Sequence, residues 1–188
     1  PQREAHKFWL GLIQPVGLVV SPPALVKAQL VLDRNTVAIQ QALQAVLVRR
    51  PTVQGAGDPR LLDFPRFARD VLGWSLSDVA GCPDGPPLPE SLCLPLPDYG
   101  ETLRPTYAAY DPMAADAGTP AAKPILMVQV LAPGTPLDKV PSDGDERARG
   151  WSASPLARFE RLLRATSVPA GLLLNGDELR LVYAPRNE

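Results

Sequence analysis

The sequence predicts one α/β domain with a helical N-terminal extension. Three patterns carry this prediction: a nearly continuous apolar strand at residues 125–131, a helix that begins at Ser154-Pro155, and an Asn175-Gly176 turn between two apolar strands. An apolar run of this kind is typical of a central strand that is covered on both faces. At 188 residues, the chain can bury one substantial core but not two full-sized ones.

We assign residues 1–60 to the N-terminal extension. Its apolar segment 8–20 is interrupted by Pro15 and Gly17, which suits a short helix followed by a strand. Ser21 before Pro22 then predicts a helix cap, because proline is favoured in the first turn. A second helix is expected over residues 35–48, where apolar side chains recur at helical spacing.

The core domain, residues 61–188, begins with a short amphipathic helix at 64–72, with Leu72 on its buried side. The segment 81–100 is rich in proline and therefore lacks too many amide donors for a helix interior or a central strand. We interpret this segment as an ordered surface loop or an interaction arm. A strand is expected next, at residues 103–110.

The last third of the chain has the clearest local signals. Proline after a serine cap predicts a helix that runs from Ser154 to about residue 165. Strand 170–174 follows, and strand 178–183 returns as its hairpin partner, because Asn-Gly pairs tolerate a tight turn. The buried stripe of this helix is predicted to consist of Leu156, Phe159, Leu162 and Leu163.

Composition excludes several classes of protein. The formal net charge is −1 and the isoelectric point is near 5.9, so any DNA contact must be a local basic patch. Cys82 and Cys93 are the only cysteines, and their spacing predicts neither a disulfide framework nor a zinc site. Without an apolar stretch long enough to span a bilayer, we expect a soluble, cytoplasmic chain with no membrane partner. Because the sequence runs from Pro1 to Glu188 without an initiator methionine, we expect a piece of a longer protein or a short protein with its methionine removed.

Two consecutive predicted strands, 103–110 and 125–131, each contain a short segment that bears on function. The first contains Pro105-Thr106, and the second contains Gln129 and Leu131 two positions apart. Together with the order helix, strand, strand, helix, strand, they resemble the PD-(D/E)xK nuclease superfamily. That resemblance implies a mixed central sheet flanked by helices, with Thr106 in place of the aspartate, Gln129 of the glutamate and Leu131 of the lysine.

These three residue types cannot supply the chemistry of such a nuclease. Neutral threonine and glutamine do not offset the cost of dehydrating Mg²⁺, and leucine cannot donate a proton or hold a hydroxide. The site is therefore expected to be degenerate, with no metal and no catalytic residue. A rival alignment takes Asp98 as the motif acid, and an active nuclease with an atypical site built from Asp98 and Glu101 stays a third alternative.

A longer resemblance covers most of the chain. Residues 9–25, 151–155, 158–164, 171–176 and 179–186 resemble the N-terminal region of large bacterial DNA adenine methyltransferases. Those enzymes belong to type IIG-like restriction-modification systems and DISARM-like phage-defence systems. The resemblance implies that a methyltransferase core, and with it any use of S-adenosylmethionine, lies downstream of this chain. The chain itself is expected to need no cofactor and not to methylate DNA.

Arginine side chains offer a candidate surface for DNA phosphates. A basic stripe gives affinity without reading sequence, although a solvated helix face with an ordinary Glu160–Arg164 pair explains the same pattern. The candidates on the helix and in the polar loop before it are Arg147, Arg149, Arg158, Arg161 and Arg164.

Two functions follow from these patterns. The first is a non-catalytic nuclease-like domain that positions DNA or partner subunits of a restriction-modification or phage-defence system. The second is a stand-alone protein interaction module, without nucleic acid, that uses the proline-rich segment and an exposed sheet edge.

Overall fold

A computed structural model of the protein describes residues 22–31, 36–52, 55–111, 123–141 and 151–185. Within them, none of the helices has the length and apolar character that crossing a bilayer requires. The expected helix and strand within 8–20 and the expected Ser21 cap lie outside this part of the chain.

The chain divides into two compact units, Pro1–Gln40 and Gln41–Glu188. In the smaller unit, the described residues contain helix α1 (Pro22–Lys27). Helix α2 (Val37–Val46) crosses the boundary and is shorter at both ends than the helix predicted over 35–48. Residues 41–60, which the sequence prediction placed in the extension, belong to the larger unit.

The larger unit is mixed α/β. Its helices are α3 (Phe64–Asp70) and α4 (Pro155–Thr166). Short 3-10 helices occur at Leu76–Asp78, Glu90–Leu92 and Pro97–Tyr99. The strands are β1 (Val48–Thr52), β2 (Gly55–Arg60), β3 (Val79–Ala80), β4 (Leu94–Leu96), β5 (Glu101–Leu103), β6 (Tyr107–Ala109), β7 (Leu126–Val130), β8 (Ala170–Leu174) and β9 (Leu179–Tyr183).

Five strands form a central mixed sheet in the spatial order β3-β6-β7-β8-β9. The β3-β6 and β6-β7 pairs are antiparallel, β7 and β8 are parallel, and β9 is antiparallel to β8. Helix α4 lies in the connection from β7 to β8, because parallel neighbours need a long crossover that brings the chain back to the same end of the sheet. Strands β1-β2 and β4-β5 form two separate antiparallel pairs.

Helices cover both faces of this sheet, as the apolar run of β7 predicts. Met127 is fully buried in a cluster with Phe159 of α4, whereas the next residue, Val128, is fully buried in a cluster with Phe64 and Phe67 of α3. This alternation follows from the two-residue period of a strand, which sends successive side chains to opposite faces. The sheet is therefore the middle layer between α3 and α4.

Helix α4 forms as predicted. The Ser154 side chain accepts a hydrogen bond from the amide of Ala157 at 3.2 Å, with proline in the first turn, which is the expected cap. On the face toward the sheet, Phe159 lies so close to β8 that a Cβ added at Gly171 would be 2.5 Å from its Cζ atom. Glycine at position 171 thus allows the helix to pack at this distance. In the predicted stripe, Leu156 is half-buried, and the buried residues are Phe159, Leu162 and Leu163.

The structure corrects two details of the sequence prediction. The strand expected over 103–110 is two strands, because β5 pairs with β4 whereas β6 pairs with β3 and β7, and residues 104–106 connect them. Leu72 was expected on the buried side of α3, but that helix ends at Asp70 and Leu72 is exposed.

The proline-rich segment 81–100 is ordered and belongs to the core. Its prolines confine regular structure to short elements, two 3-10 helices and strand β4, which pairs only with β5. Leu92 and Leu96 are buried in the same cluster as Phe159 of α4. The segment therefore covers one side of the core as well as presenting prolines to solvent.

Candidate functional site

Thr106 and Gln129, the two polar residues singled out by the sequence, lie side by side: Thr106 directly precedes β6, and Gln129 is in the neighbouring strand β7. The amide of Thr106 donates to the carbonyl oxygen of Val128 at 2.8 Å, and the amide of Val130 donates to the Thr106 hydroxyl at 2.9 Å. The Gln129 Nε2 atom lies 3.5 Å from the same hydroxyl, at the outer limit of a hydrogen bond. The two side chains thus converge where β6 begins and β7 ends.

The third position of the set, Leu131, follows the end of β7. Its amide donates to the carbonyl oxygen of Leu174 at 2.7 Å, and its half-buried side chain packs against the cluster of α4. The three positions therefore offer a hydroxyl that already accepts a backbone hydrogen bond, a carboxamide and a hydrocarbon. Neutral groups of this kind give a divalent cation no charge to replace its hydration shell.

A cavity of about 410 Å³ opens beside Gln129, between β5, the end of β7 and the first half of α4. Its apolar wall includes Leu103, Leu131 and Phe159, and Arg104 lies at its rim together with the exposed Thr102. Concave, mostly apolar surfaces with a few polar groups are where small ligands bind.

An ion pair holds one wall of this cavity. The Arg158 guanidinium on α4 pairs with the Glu101 carboxylate on β5, and each side chain is about one-fifth exposed. Both also bind the backbone of Trp151: the carboxylate accepts from its amide at 3.1 Å, and Arg158 donates to its carbonyl oxygen at 3.2 Å. Burial lowers the pKa of Arg158, which nonetheless stays charged because an arginine titrates far above neutral pH.

The other arginines of α4 have different surroundings. The Arg161 guanidinium lies over the Trp151 ring, 4.6 Å from its centroid, in a cation–π arrangement. Arg164 pairs with Glu160 at 3.1 Å on the exposed face, which is the i, i+4 pair that the sequence suggested. Of the five predicted phosphate ligands, these two present their charge to solvent, whereas Arg158 is held by Glu101 and Trp151. Arg147 and Arg149 lie outside the described residues.

The acids of the rival site are not brought together at the cavity. Asp98 is exposed in the 3-10 helix Pro97–Tyr99 and does not line the cavity, whereas Glu101 lines it and is paired with Arg158. Sequence reasoning named Glu101 and Arg158 for other roles and missed their pairing with each other. Glu101 and Arg158 lie far apart in the chain, so no spacing pattern could have shown that they pair.

Neither metal-ligating side chains among the described residues nor similarity to known proteins assigns a function to this site. Among the residues that the structure describes, no group of three or more His, Cys, Asp or Glu side chains is arranged to hold a metal ion. Comparisons with known proteins found no matching protein family, no matching curated protein and no matching solved structure.

Proposed function

We propose that this chain is a nuclease-like domain without cleaving chemistry, which holds DNA or a partner subunit for a DNA adenine methyltransferase in restriction-modification or phage defence. One observation carries the proposal: Thr106, directly before β6, meets Gln129 of the antiparallel neighbour β7, as the acids of a PD-(D/E)xK nuclease converge at the sheet edge. Helix α3, strands β6 and β7, helix α4 and strand β8 also follow in the order that the resemblance requires.

The chemistry of the site supports a binding role over a cleaving one. A metal-dependent nuclease needs carboxylates that hold the cation and a base that activates water. At the converged positions, a hydroxyl and a carboxamide stand in for the acids, and the nearby Glu101 is already neutralised by Arg158. A scaffold of this kind keeps its shape and loses only the reaction.

Helix α4 supplies the surface that would meet DNA. Arg161 and Arg164 are both exposed, and no described carboxylate pairs with Arg161. Such contacts neutralise phosphates without reading base edges, which suits a domain that positions DNA for an enzyme with its own specificity.

Cleavage and retardation assays test this proposal. With Mg²⁺ or Mn²⁺, the purified chain is expected to leave plasmid DNA intact and to retard a DNA duplex in a salt-dependent manner. Because each neutralised phosphate adds about 0.9 to the slope of log K against log salt, Arg161→Ala with Arg164→Ala should lower that slope by about 2. Arg66→Ala with Arg69→Ala on α3 removes two charges from the opposite face of the sheet and is the matched control. Metal-dependent cutting that Asp98→Asn or Gln129→Leu abolishes would contradict the inert site.

A specific observation favours the second candidate, a protein interaction module. Strand β9 is at one end of the sheet order, and Leu179, Leu181 and Tyr183 along it are 43%, 45% and 73% exposed. An apolar strand without a described neighbour on its outer side is a template for pairing with another chain.

Purified protein tests this alternative through pairing between copies. If β9 is an interaction edge, sedimentation over a range of concentrations should show dimers, and Leu181→Lys should abolish them while Leu72→Lys, at another exposed leucine, does not. This alternative also predicts no retardation of DNA at any salt concentration. A monomer at every concentration, together with salt-dependent retardation, would eliminate it.

A further inference from the structure

We infer that the cavity beside Gln129 binds a single unpaired nucleotide, with the base against its apolar wall and the phosphate at Arg104. The inference deepens the proposed function and rests on it for the source of the nucleotide. It stands on the volume of the cavity and on the chemistry of three parts of its lining: the wall, the carboxamide and the rim.

The volume and the wall fit one base. A volume of about 410 Å³ is at the small end of ligand pockets, which span roughly 300–1,000 Å³, so it suits a mononucleotide-sized group. The apolar lining that a ligand can reach comes from Leu131, Ala132, Pro141 and Pro155, which lie over the buried side chains of Leu103, Phe159 and Leu162. The flat face of a base can cover this wall without leaving polar wall atoms unpaired.

Gln129 provides the group that reads a base edge. Its Nε2 atom makes one long contact with Thr106, and among the described residues the carbonyl oxygen and the other N–H of the carboxamide have no partner, so both can meet a ligand at the cavity. A donor and an acceptor side by side match an adenine edge, which is the pairing that glutamine makes with DNA bases. Leucine or valine would fit this apolar neighbourhood without a polar group. We therefore expect the carboxamide to hydrogen-bond a ligand.

The charges at the rim favour an anion. Glu101 and Arg158 neutralise each other within the wall, so Arg104 gives the lining a net positive charge. Arg104 is exposed and has no ion-pair partner among the described residues, and the exposed Thr102 also lines the cavity. Guanidinium and hydroxyl groups are both common ligands of phosphate oxygens.

Only an unpaired nucleotide can use all of these groups. Within a duplex, each base is stacked on its neighbours, so it must leave the stack before its face can meet the wall of a pocket. The ligand is therefore either a free mononucleotide or an extruded or single-stranded residue of DNA, which share the same base and phosphate.

Calorimetry with dAMP, deoxyadenosine and deoxyribose 5-phosphate tests the inference on the full chain. We expect dAMP to bind at least about tenfold more tightly than either fragment, because it fills both the wall and the rim. Gln129→Leu should weaken dAMP about tenfold and leave the sugar phosphate unchanged. Arg104→Ala should weaken both phosphates and leave deoxyadenosine unchanged, and Arg69→Ala, at an exposed arginine of α3 that does not line the cavity, should change nothing.

Urea unfolding of each variant checks that the fold is intact. Because Arg104 is exposed, we expect Arg104→Ala to fold normally, so its effect on binding can be interpreted. Failure of dAMP to bind, or an equal loss with Arg69→Ala and Arg104→Ala, overturns the inference. A duplex with one unpaired adenosine that competes with dAMP better than a fully paired duplex identifies DNA as the source; competition by neither identifies the free nucleotide. If duplex DNA is retarded but dAMP does not bind, the inference of a nucleotide cavity is wrong and the proposed function stands. If dAMP binds but DNA is not retarded, the proposed function is wrong and the cavity inference stands.

Discussion

Replacing Thr106 by Asp, Gln129 by Glu and Leu131 by Lys is expected to create a divalent cation site in this domain. The two acids would lie next to each other because β6 and β7 pair at this point and the Gln129 and Thr106 side chains already touch. An aspartate at position 106 can still accept the hydrogen bond from the Val130 amide, so the backbone need not move. Hard cations such as Mn²⁺ bind carboxylate oxygens.

Calorimetric titration with Mn²⁺ measures this gain. We expect the triple variant to bind the ion at least about tenfold more tightly than the wild-type chain, a difference of about 1.4 kcal/mol. A matched control of the same net charge carries Thr106→Asp and Leu131→Lys with Gln44→Glu, since Gln44 is exposed on α2 and does not line the cavity. If both variants bind Mn²⁺ equally weakly, the two positions do not form a nuclease-like pair and the resemblance is wrong.

Arg158→Met is expected to destabilise the protein by about 2 kcal/mol. Removing one partner of a fully buried ion pair costs about 3–5 kcal/mol, and we reduce that figure because each side chain of the Glu101–Arg158 pair keeps about one-fifth of its surface exposed. The change would leave the Glu101 carboxylate without its countercharge and the carbonyl oxygen of Trp151 without a donor. Methionine retains most of the apolar stem, so the loss would come from the charge and hydrogen bonds.

Arg164→Met on the same helix is the matched control. Its exposed pair with Glu160 is of the kind that contributes only about 0.3–0.5 kcal/mol. Urea unfolding should therefore show a clearly larger loss of stability for Arg158→Met than for Arg164→Met. Arg164→Met should weaken DNA retardation by more than its small loss of stability explains. Equal stability of the two variants, with weaker DNA binding for Arg158→Met, would show that Arg158 meets phosphate and does not hold the cavity wall.

The sequence by itself determined the unit from β7 to β9. Each of its signals is local: an apolar run for a central strand, a serine and a proline for the start of α4, and an asparagine and a glycine for the turn before β9. The structure has all three, with Ser154 as the cap of α4 and Gly176 at a positive φ in the turn. The resemblance to the PD-(D/E)xK superfamily also implied that Thr106 and Gln129 converge, and the Gln129 Nε2 atom lies 3.5 Å from the Thr106 hydroxyl.

Only the tertiary structure decided what surrounds those two residues. The proline-rich segment covers part of the core, the region 103–110 divides between two sheets, and Glu101 meets Arg158 across the cavity wall. In the sequence, Arg158 is one of several arginines on a helix, and nothing local separates it from Arg161. The physical reason is that caps, turns and periodicity depend on residues within a few positions of each other, whereas an ion pair, a cavity and a strand's choice of partner depend on segments that meet only after the chain has folded.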